Sequence, residues 1–354
     1  MDGEITPVRQ EPVTLLESAG KVHMKSDHHE AARSLAAGNQ LLITDRYSTG
    51  LSVLSHLKKQ LSRGRQAKTF GMSRKQRASY KKASSLLIAP VENHSIALYK
   101  SPQSGWLKVL YPEPDPFYLS FPQIQGLNSS WQWYEKGIHY PGLQDKIHPW
   151  YGVYFPTRFD HIRLLNDWLA EYKGTPGVGA DIGTGCGVLA FLMAAHGFEK
   201  IYASDLNPNA VISVRESVKR LGIDSRVESF VSDLFKEHRE KADLILFNPP
   251  WLPANHTLSY LDRAIYYEKE FFSRFFEEAA GFLKRDGRLV LLFSNMAVNQ
   301  GLSNSHPVRE ELDTGNRFAE IRKLTGNVAQ KSAKTKRRDH REEEVVELWE
   351  LALI

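Results

Sequence analysis

Three short stretches hold residues whose types and spacing could do chemistry: Asp181-Ile-Gly-Thr-Gly-Cys-Gly187, Ala203-Ser-Asp-Leu-Asn207 and Leu246-Phe-Asn-Pro-Pro-Trp251. In the third, two consecutive prolines hold the backbone extended, so the Asn248 side chain and the Pro249 carbonyl can point the same way. Two convergent acceptors can take both N–H bonds of a planar amino group, which aims the nitrogen lone pair at an electrophile. Pro250 completes the stiff pair, and Trp251 offers a flat face on which a planar substrate can stack. In the first stretch, Gly183, Gly185 and Gly187 let the backbone pass close to a ligand. The helix that opens beyond them adds the positive end of its dipole. Asp181 stands ahead of the glycines, where an acid can bind a cation or an amino group and would repel a pyrophosphate. Asp205 ends the next strand, where a carboxylate suits the two hydroxyls of a ribose. A further acid, in Asp233-Leu-Phe235, follows a third strand and could accept a hydrogen bond from an adenine amino group.

These residues can act together only if one scaffold gathers them. From Tyr151 onward, strand and helix signals alternate. Strands are predicted at Val178–Ile182, Lys200–Ser204, Val227–Val231, Ala242–Phe247, Arg288–Ser294 and Val345–Leu353. Helices are predicted at Val188–His196, Pro208–Leu221 and Glu268–Leu283, with another running from a capping-box-like Thr157-Arg-Phe-Asp160 to about Tyr172. This alternation predicts an α/β fold: a mainly parallel sheet with helices on both faces, its acids sharing one crevice edge. Residues 252–267 form a long connection after the Asn-Pro-Pro-Trp stretch, read as a lid over the substrate.

The N-terminal part reads differently. Its first 35 or so residues are polar and read as poorly ordered. Gln40–Thr44 reads as a strand and Gly50–Leu61 as a helix. Ser85–Pro90, Ile96–Tyr99, Trp106–Leu110 and Phe117–Phe121 read as strand-like pieces, and prolines at 112, 114, 116 and 122 divide the region into short segments and forbid long helices. An N-terminal α+β accessory domain, 1–148, is therefore expected beside the α/β domain, 149–354.

The chain has 354 residues, 42% hydrophobic and 25% charged, as soluble globular proteins do. No run approaches the roughly 18 apolar residues of a membrane span, and the start lacks the pattern of a secretion signal. No membrane association and a cytoplasmic location are the expectation. A single cysteine, Cys186, rules out a disulfide framework, Cys-rich zinc sites and thiolate-ligated iron–sulfur clusters. His148, His161 and His196 show no metal-ligand spacing, so no metal is expected. The net charge of +5 is local: residues 1–150 hold 19 Lys/Arg against 12 Asp/Glu (+7), and the remainder 27 against 29 (−2). Ten basic residues and no acid lie between Lys58 and Lys82, a candidate phosphate-binding stretch.

With those motifs in view, residues from about Trp150 to Ile354 resemble a class I S-adenosylmethionine-dependent methyltransferase with a Rossmann-like sheet. The branch is the small-domain group that includes the release-factor glutamine methyltransferase and ribosomal RNA guanine-N2 methyltransferases. The resemblance implies S-adenosyl-L-methionine as cofactor. It assigns the Asp181, Gly183, Thr184, Gly185 and Gly187 stretch to the methionine part, Asp205 with Leu206 to the ribose and Asp233 with Leu234 to the adenine. Asn248, Pro249, Pro250 and Trp251 match the Asn-Pro-Pro-aromatic motif of amino-methylating enzymes, with tryptophan replacing the commoner tyrosine. Phe155, Pro156 and Thr157 lie where relatives have a further cofactor- and substrate-contacting loop, and Asn248 also borders the cofactor. Direct in-line transfer to nitrogen is implied. The leading substrate is an exocyclic base amine, guanine N2 or adenine N6, in RNA sooner than DNA. A protein glutamine amide is the alternative, and a non-catalytic module on the same fold a third reading. Leu41-Leu-Ile-Thr-Asp-Arg-Tyr47 is similar to a strand and turn in the vestigial N-terminal half of some RNA guanine methyltransferases, which implies a substrate-recognition role for this part.

Overall fold

The computed structural model describes residues 5–62, 70–113, 116–254, 263–299, 301–303, 305–327 and 344–354, leaving aside the side chains of 70–75. The chain forms two compact units, Arg9–Glu135 and Lys136–Ile354, the latter joined by the N-terminal segment up to Val8. The boundary at 148/149 read from the sequence falls inside the larger unit.

In the smaller unit, Gly20–Val22 (β1), Leu41–Ile43 (β2) and Leu87–Glu92 (β3) run parallel. His28–Ala36 (α1) crosses between the first two strands, and Tyr47–Ser62 (α2) and Phe70–Ser84 (α3) between the second and third. Ser95–Ile96 (β4) and Phe117–Ser120 (β5) pair antiparallel with β3. Three sequence expectations need correction. The N-terminal stretch contains β1 and α1, with α1 capped by the Asp27 side chain, which accepts from the His29 and Glu30 N–H groups. Trp106–Leu110 is a helix (α4), because its buried residues Trp106, Leu107 and Leu110 recur at helical spacing. Phe121–Lys136 (α5) is a 16-residue helix despite the nearby prolines, since Pro122 sits in its first turn, where no amide donor is needed. Within the basic stretch, Lys58 and Lys59 lie on α2 and Arg77, Lys81 and Lys82 on α3. Residues 63–69 of that stretch lie outside the described residues.

In the larger unit, Ile138–His139 (β6) and Lys146–Ile147 (β7) form a small ladder. Then come Asp160–Glu171 (α6), Val178–Ile182 (β8), Val188–Ala195 (α7), Lys200–Asp205 (β9), Pro208–Leu221 (α8), Val227–Val231 (β10) and Ala242–Phe247 (β11). Leu252–Pro253 (β12) pairs with Tyr266–Tyr267 (β13), and residues 255–262 of the connection read as a lid lie outside the described residues. Phe271–Phe282 (α9), Leu283–Ser294 (β14), Phe318–Asn327 (β15) and Val345–Leu353 (β16) complete the unit. Thr157 does not cap α6, whose N-cap is Phe159 without a side-chain hydrogen bond.

The seven-stranded sheet has the order β10-β9-β8-β11-β14-β16-β15, parallel except for the antiparallel β16. The central strands β8 and β11 are almost wholly buried because both faces of the sheet are covered there, and β8 is buried at every position. β15 gave little sequence signal for the opposite reason. It is an edge strand, mostly exposed and rich in charge. On one face, Ala180, Ile245, Phe247, Leu289 and Leu291 meet Phe272, Phe275 and Phe276 of α9. The other face receives α6 and α7; the Trp168 indole of α6 donates to Glu350 of β16 at 2.7 Å. The order in which strands are added reverses at β8, with β9 and β10 on one side and β11 on the other, and the ends of β8 and β11 carry the glycine and Asn-Pro-Pro stretches. Open α/β sheets bind ligands at such a switch point. No helix among the described residues is long and apolar enough to cross a membrane.

Phe275 is fully buried and packs its ring 4.6 Å from Phe247 and 5.3 Å from Phe276. Phe275→Ala is expected to lower unfolding free energy by about 3–5 kcal/mol in urea titrations. A loss below about 1 kcal/mol would show that this face is not the packed core.

Candidate active site

Asp181, at the end of β8, is sealed from solvent. Its Oδ2 accepts from the Thr184 hydroxyl at 2.7 Å and the Ala190 N–H at 3.0 Å, fastening the glycine loop and the first turn of α7. Its Oδ1 has no partner among the described residues. The loop needs its glycines. Gly185 and Gly187 have φ of 53° and 87°, and a Cβ on Gly185 would stand 2.8 Å from the Tyr154 carbonyl oxygen. The Gly185 N–H donates to Asp205 Oδ2 at 2.9 Å, joining the ends of β8 and β9. Asp205 Oδ1 accepts from the Asn207 N–H, and Asn207 caps α8 while its amide donates to the Gly152 carbonyl.

On the far side, Asp233 follows β10. Arg274 of α9 grips its carboxylate with two bonds of 2.7 and 2.8 Å, and Lys236 adds a third at 3.2 Å. Arg274, with help from Lys236, holds the Asp233 carboxyl below the usual range despite its partial burial. Asn248, at the end of β11, presents a buried carboxamide oxygen with no hydrogen-bond partner among the described residues. Burial pushes the Tyr154 phenol up to about 12, and the Asn248 side chain, near its hydroxyl, acts against that rise.

A cavity of 1130 Å³ connects these groups. Of the residues singled out in the sequence, Phe155, Thr157, Gly183, Gly185, Asp205, Leu206, Asp233, Leu234, Asn248 and Pro250 line it. Asp181, Thr184 and Gly187 do not line it, and Asp181 and Thr184 are buried. Pro156 turns its carbonyl to the Tyr140 hydroxyl, and Pro249 does not line the cavity. Trp251 does not present the expected stacking face: its indole N–H donates to the Leu292 carbonyl at 3.1 Å, and its ring meets buried His161 edge-on at 5.8 Å. Burial pushes His161 down to about 4, so it is neutral at physiological pH. Tyr154, Tyr266, Tyr267 and Phe271 supply aromatic surface instead. Tyr154 and Arg274 escaped the sequence reading. Tyr154 adjoins the flagged Phe155, whereas nothing local marks Arg274. The lining carries Asp205, Asp233, Glu268 and Glu270 against Arg263 and Arg274, a net negative wall suited to a cationic ligand.

Burial pushes the Asp181 carboxyl up to about 7, against the hydrogen bonds from Thr184 and Ala190, and the Asp205 charge adds to the rise. The folded chain then holds this proton at pH values where the unfolded chain, with its ordinary value of 3.8, has lost it. Stability falls as pH rises through that interval and levels off above it. Asp181→Asn is expected to flatten the decline in denaturation midpoint between pH 5 and pH 7.5 in ligand-free protein. Equal declines in both proteins would remove Asp181 as its source.

Residues 146–319 match the family described as the methyltransferase small domain. A Methanocaldococcus jannaschii protein provisionally named a protein N5-glutamine methyltransferase is 35% identical over 165 residues, covering 45% of this chain and 80% of that one. The release factor glutamine methyltransferase of Cereibacter sphaeroides is 41% identical over 21% of this chain and 27% of its own. The ribosomal RNA small subunit methyltransferase C of Alcanivorax borkumensis is 25% identical over 42% of this chain and 55% of its own. The chain therefore spans most of the archaeal relative but about half or less of the two bacterial ones. The family's cofactor, S-adenosylmethionine, carries a sulfonium and an ammonium. The residues present fit it: the lining is net negative, Asp181 Oδ1 lacks a partner, and the loop admits no Cβ at Gly185. The family match over residues 146–319 and the archaeal relative, 35% identical with 80% of its length covered, make this chain a class I S-adenosylmethionine-dependent methyltransferase of the small-domain family.

Proposed function

We propose that the enzyme methylates an exocyclic amino group of a nucleic-acid base, in RNA sooner than DNA. The observation that carries this reading is the unpartnered Asn248 carboxamide oxygen beside a cavity with Tyr154, Tyr266, Tyr267 and Phe271 in its wall. An amino group brought against Asn248 satisfies a buried acceptor that is otherwise left unmade, and the tyrosines offer faces for a flat base. The cofactor supplies an electrophilic methyl group. Asp205 with Leu206 holds its ribose, Asp233 with Leu234 its adenine, and the Gly183–Gly187 loop over Asp181 its methionine part, with Phe155 and Thr157 closing the near wall.

The Asn248 carboxamide oxygen accepts one N–H bond of the amino group and holds its nitrogen toward the methyl donor, whereas the Pro249 carbonyl, outside the cavity lining, is not placed to take the second. Trp251, tied to β14 through Leu292, braces the Asn-Pro-Pro turn rather than forming the platform. Burial raises the Cys186 thiol to about 12, so it stays protonated and does not serve as a nucleophile. Lys58, Lys59, Arg77, Lys81 and Lys82 on the smaller unit supply positive charge for phosphates.

A protein glutamine amide is the second reading. It is favoured by the 35% identity to the archaeal protein whose name gives that substrate.

Asn248→Ala is expected to keep cofactor affinity and lose kcat by roughly 10²-fold or more, as removal of an aligned polar group does. Turnover near wild type would refute the role of Asn248. With tritiated methyl donor and cell fractions, the label should be lost to nuclease. Label that survives nuclease and is destroyed by protease would establish the glutamine reading instead. RNA affinity should fall with salt, and neutralising Lys58, Lys59, Lys81 and Lys82 should reduce that slope by about one for each phosphate that is no longer paired with a lysine.

A further inference from the structure

Helix α9 holds the loop after β10 at two points. Arg274 grips the Asp233 carboxylate, and Glu278 Oε2 accepts the Phe235 N–H at 3.1 Å. Between them Leu234 sits at φ 54°, a conformation a leucine keeps only when its neighbours fix it. Ser232 helps by donating its hydroxyl to the Leu234 carbonyl at 2.8 Å. Asp233, Leu234 and Arg274 all line the cavity.

A carboxylate offers about four lone-pair positions, two per oxygen. Among the described residues, Asp233 Oδ2 accepts from Arg274 Nη1 and Lys236 Nζ, while Oδ1 accepts only from Arg274 Nη2, which leaves one acceptor position on Oδ1. The guanidinium fork fixes its direction, because two parallel bonds set the plane of the carboxylate where a single one would allow rotation.

We propose that Arg274 is a positioning residue that selects adenine in the cofactor, acting through Asp233. This rests on reading Asp233 as the acceptor for the adenine 6-amino group. With three acceptor positions filled and the group held ionised, Asp233 takes one N–H from that amino group and has no proton to offer a 6-oxo base. Lys236 cannot replace Arg274, since its single bond to Oδ2 leaves the carboxylate free to turn. The same helix begins at Phe271, directly after cavity-lining Tyr266, Tyr267, Glu268 and Glu270, so one rigid element carries both the adenine-side grip and the end of the opposite wall.

The test is calorimetric binding of S-adenosylhomocysteine and its hypoxanthine counterpart to wild type, Arg274→Gln, Arg274→Lys, Asp233→Asn and the Arg274→Gln/Asp233→Asn double variant, with thermal unfolding of each. Wild type should prefer the adenine ligand by about tenfold or more. Arg274→Gln should lose about tenfold in adenine affinity and most of the preference, Arg274→Lys should keep part of both, and the double variant should bind no more weakly than Asp233→Asn alone. A weakened Asp233→Asn beside an unaltered Arg274→Gln, or additive losses in the double variant, would overturn the role of Arg274 alone. Unaltered adenine affinity in Asp233→Asn would overturn the reading of Asp233 itself. Should Arg274→Gln unfold, Arg274→Lys decides: unchanged affinity and preference overturn the proposal, and a partial loss of both supports it.

Discussion

A carboxylate sealed under a glycine loop is the constraint from which the site is built. Asp181 is withdrawn from water, and such burial disfavours its charge strongly enough to push the carboxyl up to about 7. What remains in its favour are bonds to Thr184 and to the first turn of α7. Those bonds force the chain to double back over the acid, and the return path runs so near the Tyr154 carbonyl that only glycine fits at 185. Once the loop is closed, the Gly185 N–H meets Asp205, and the ends of β8 and β9 become one wall. A burial unfavourable on its own thus fixes the shape of the cofactor side, as strained groups at functional sites commonly do.

The opposite side follows another principle. Asp233 and Arg274 stay partly exposed, so their ion pair adds little to stability. Its value lies in geometry, because a forked guanidinium fixes a carboxylate in a way that a point charge cannot. Asn248 stands beside Tyr154, and its buried carboxamide oxygen has no partner among the described residues.

Trp251 shows how the two levels of description part. As a residue type after Asn-Pro-Pro it reads as a stacking surface, yet the fold ties its indole to Leu292 and turns its ring toward His161. The helix at Trp106–Leu110 diverged for a related reason. Five residues with an aromatic start suit a strand or a helix equally, and the spacing of the buried side chains decided. The capped helix after Asp27 and the helix opened by Pro122 were hidden by polar and proline-rich surroundings, although the local signals that start them are present in the sequence.

By itself the sequence determined the alternation of strands and helices in residues 151–354, the glycine loop, the acids at the strand ends and the Asn-Pro-Pro turn. These follow from periodicity, backbone torsion and proline geometry, all of which act over a few neighbouring residues. Tertiary structure decided which of those residues face the cavity and what each polar group does. Asp233 finds Arg274 and Trp251 finds Leu292 across 41 positions of chain, and Trp168 finds Glu350 across 182. Such partners are chosen by distances between packed elements, and no spacing along the chain encodes those distances.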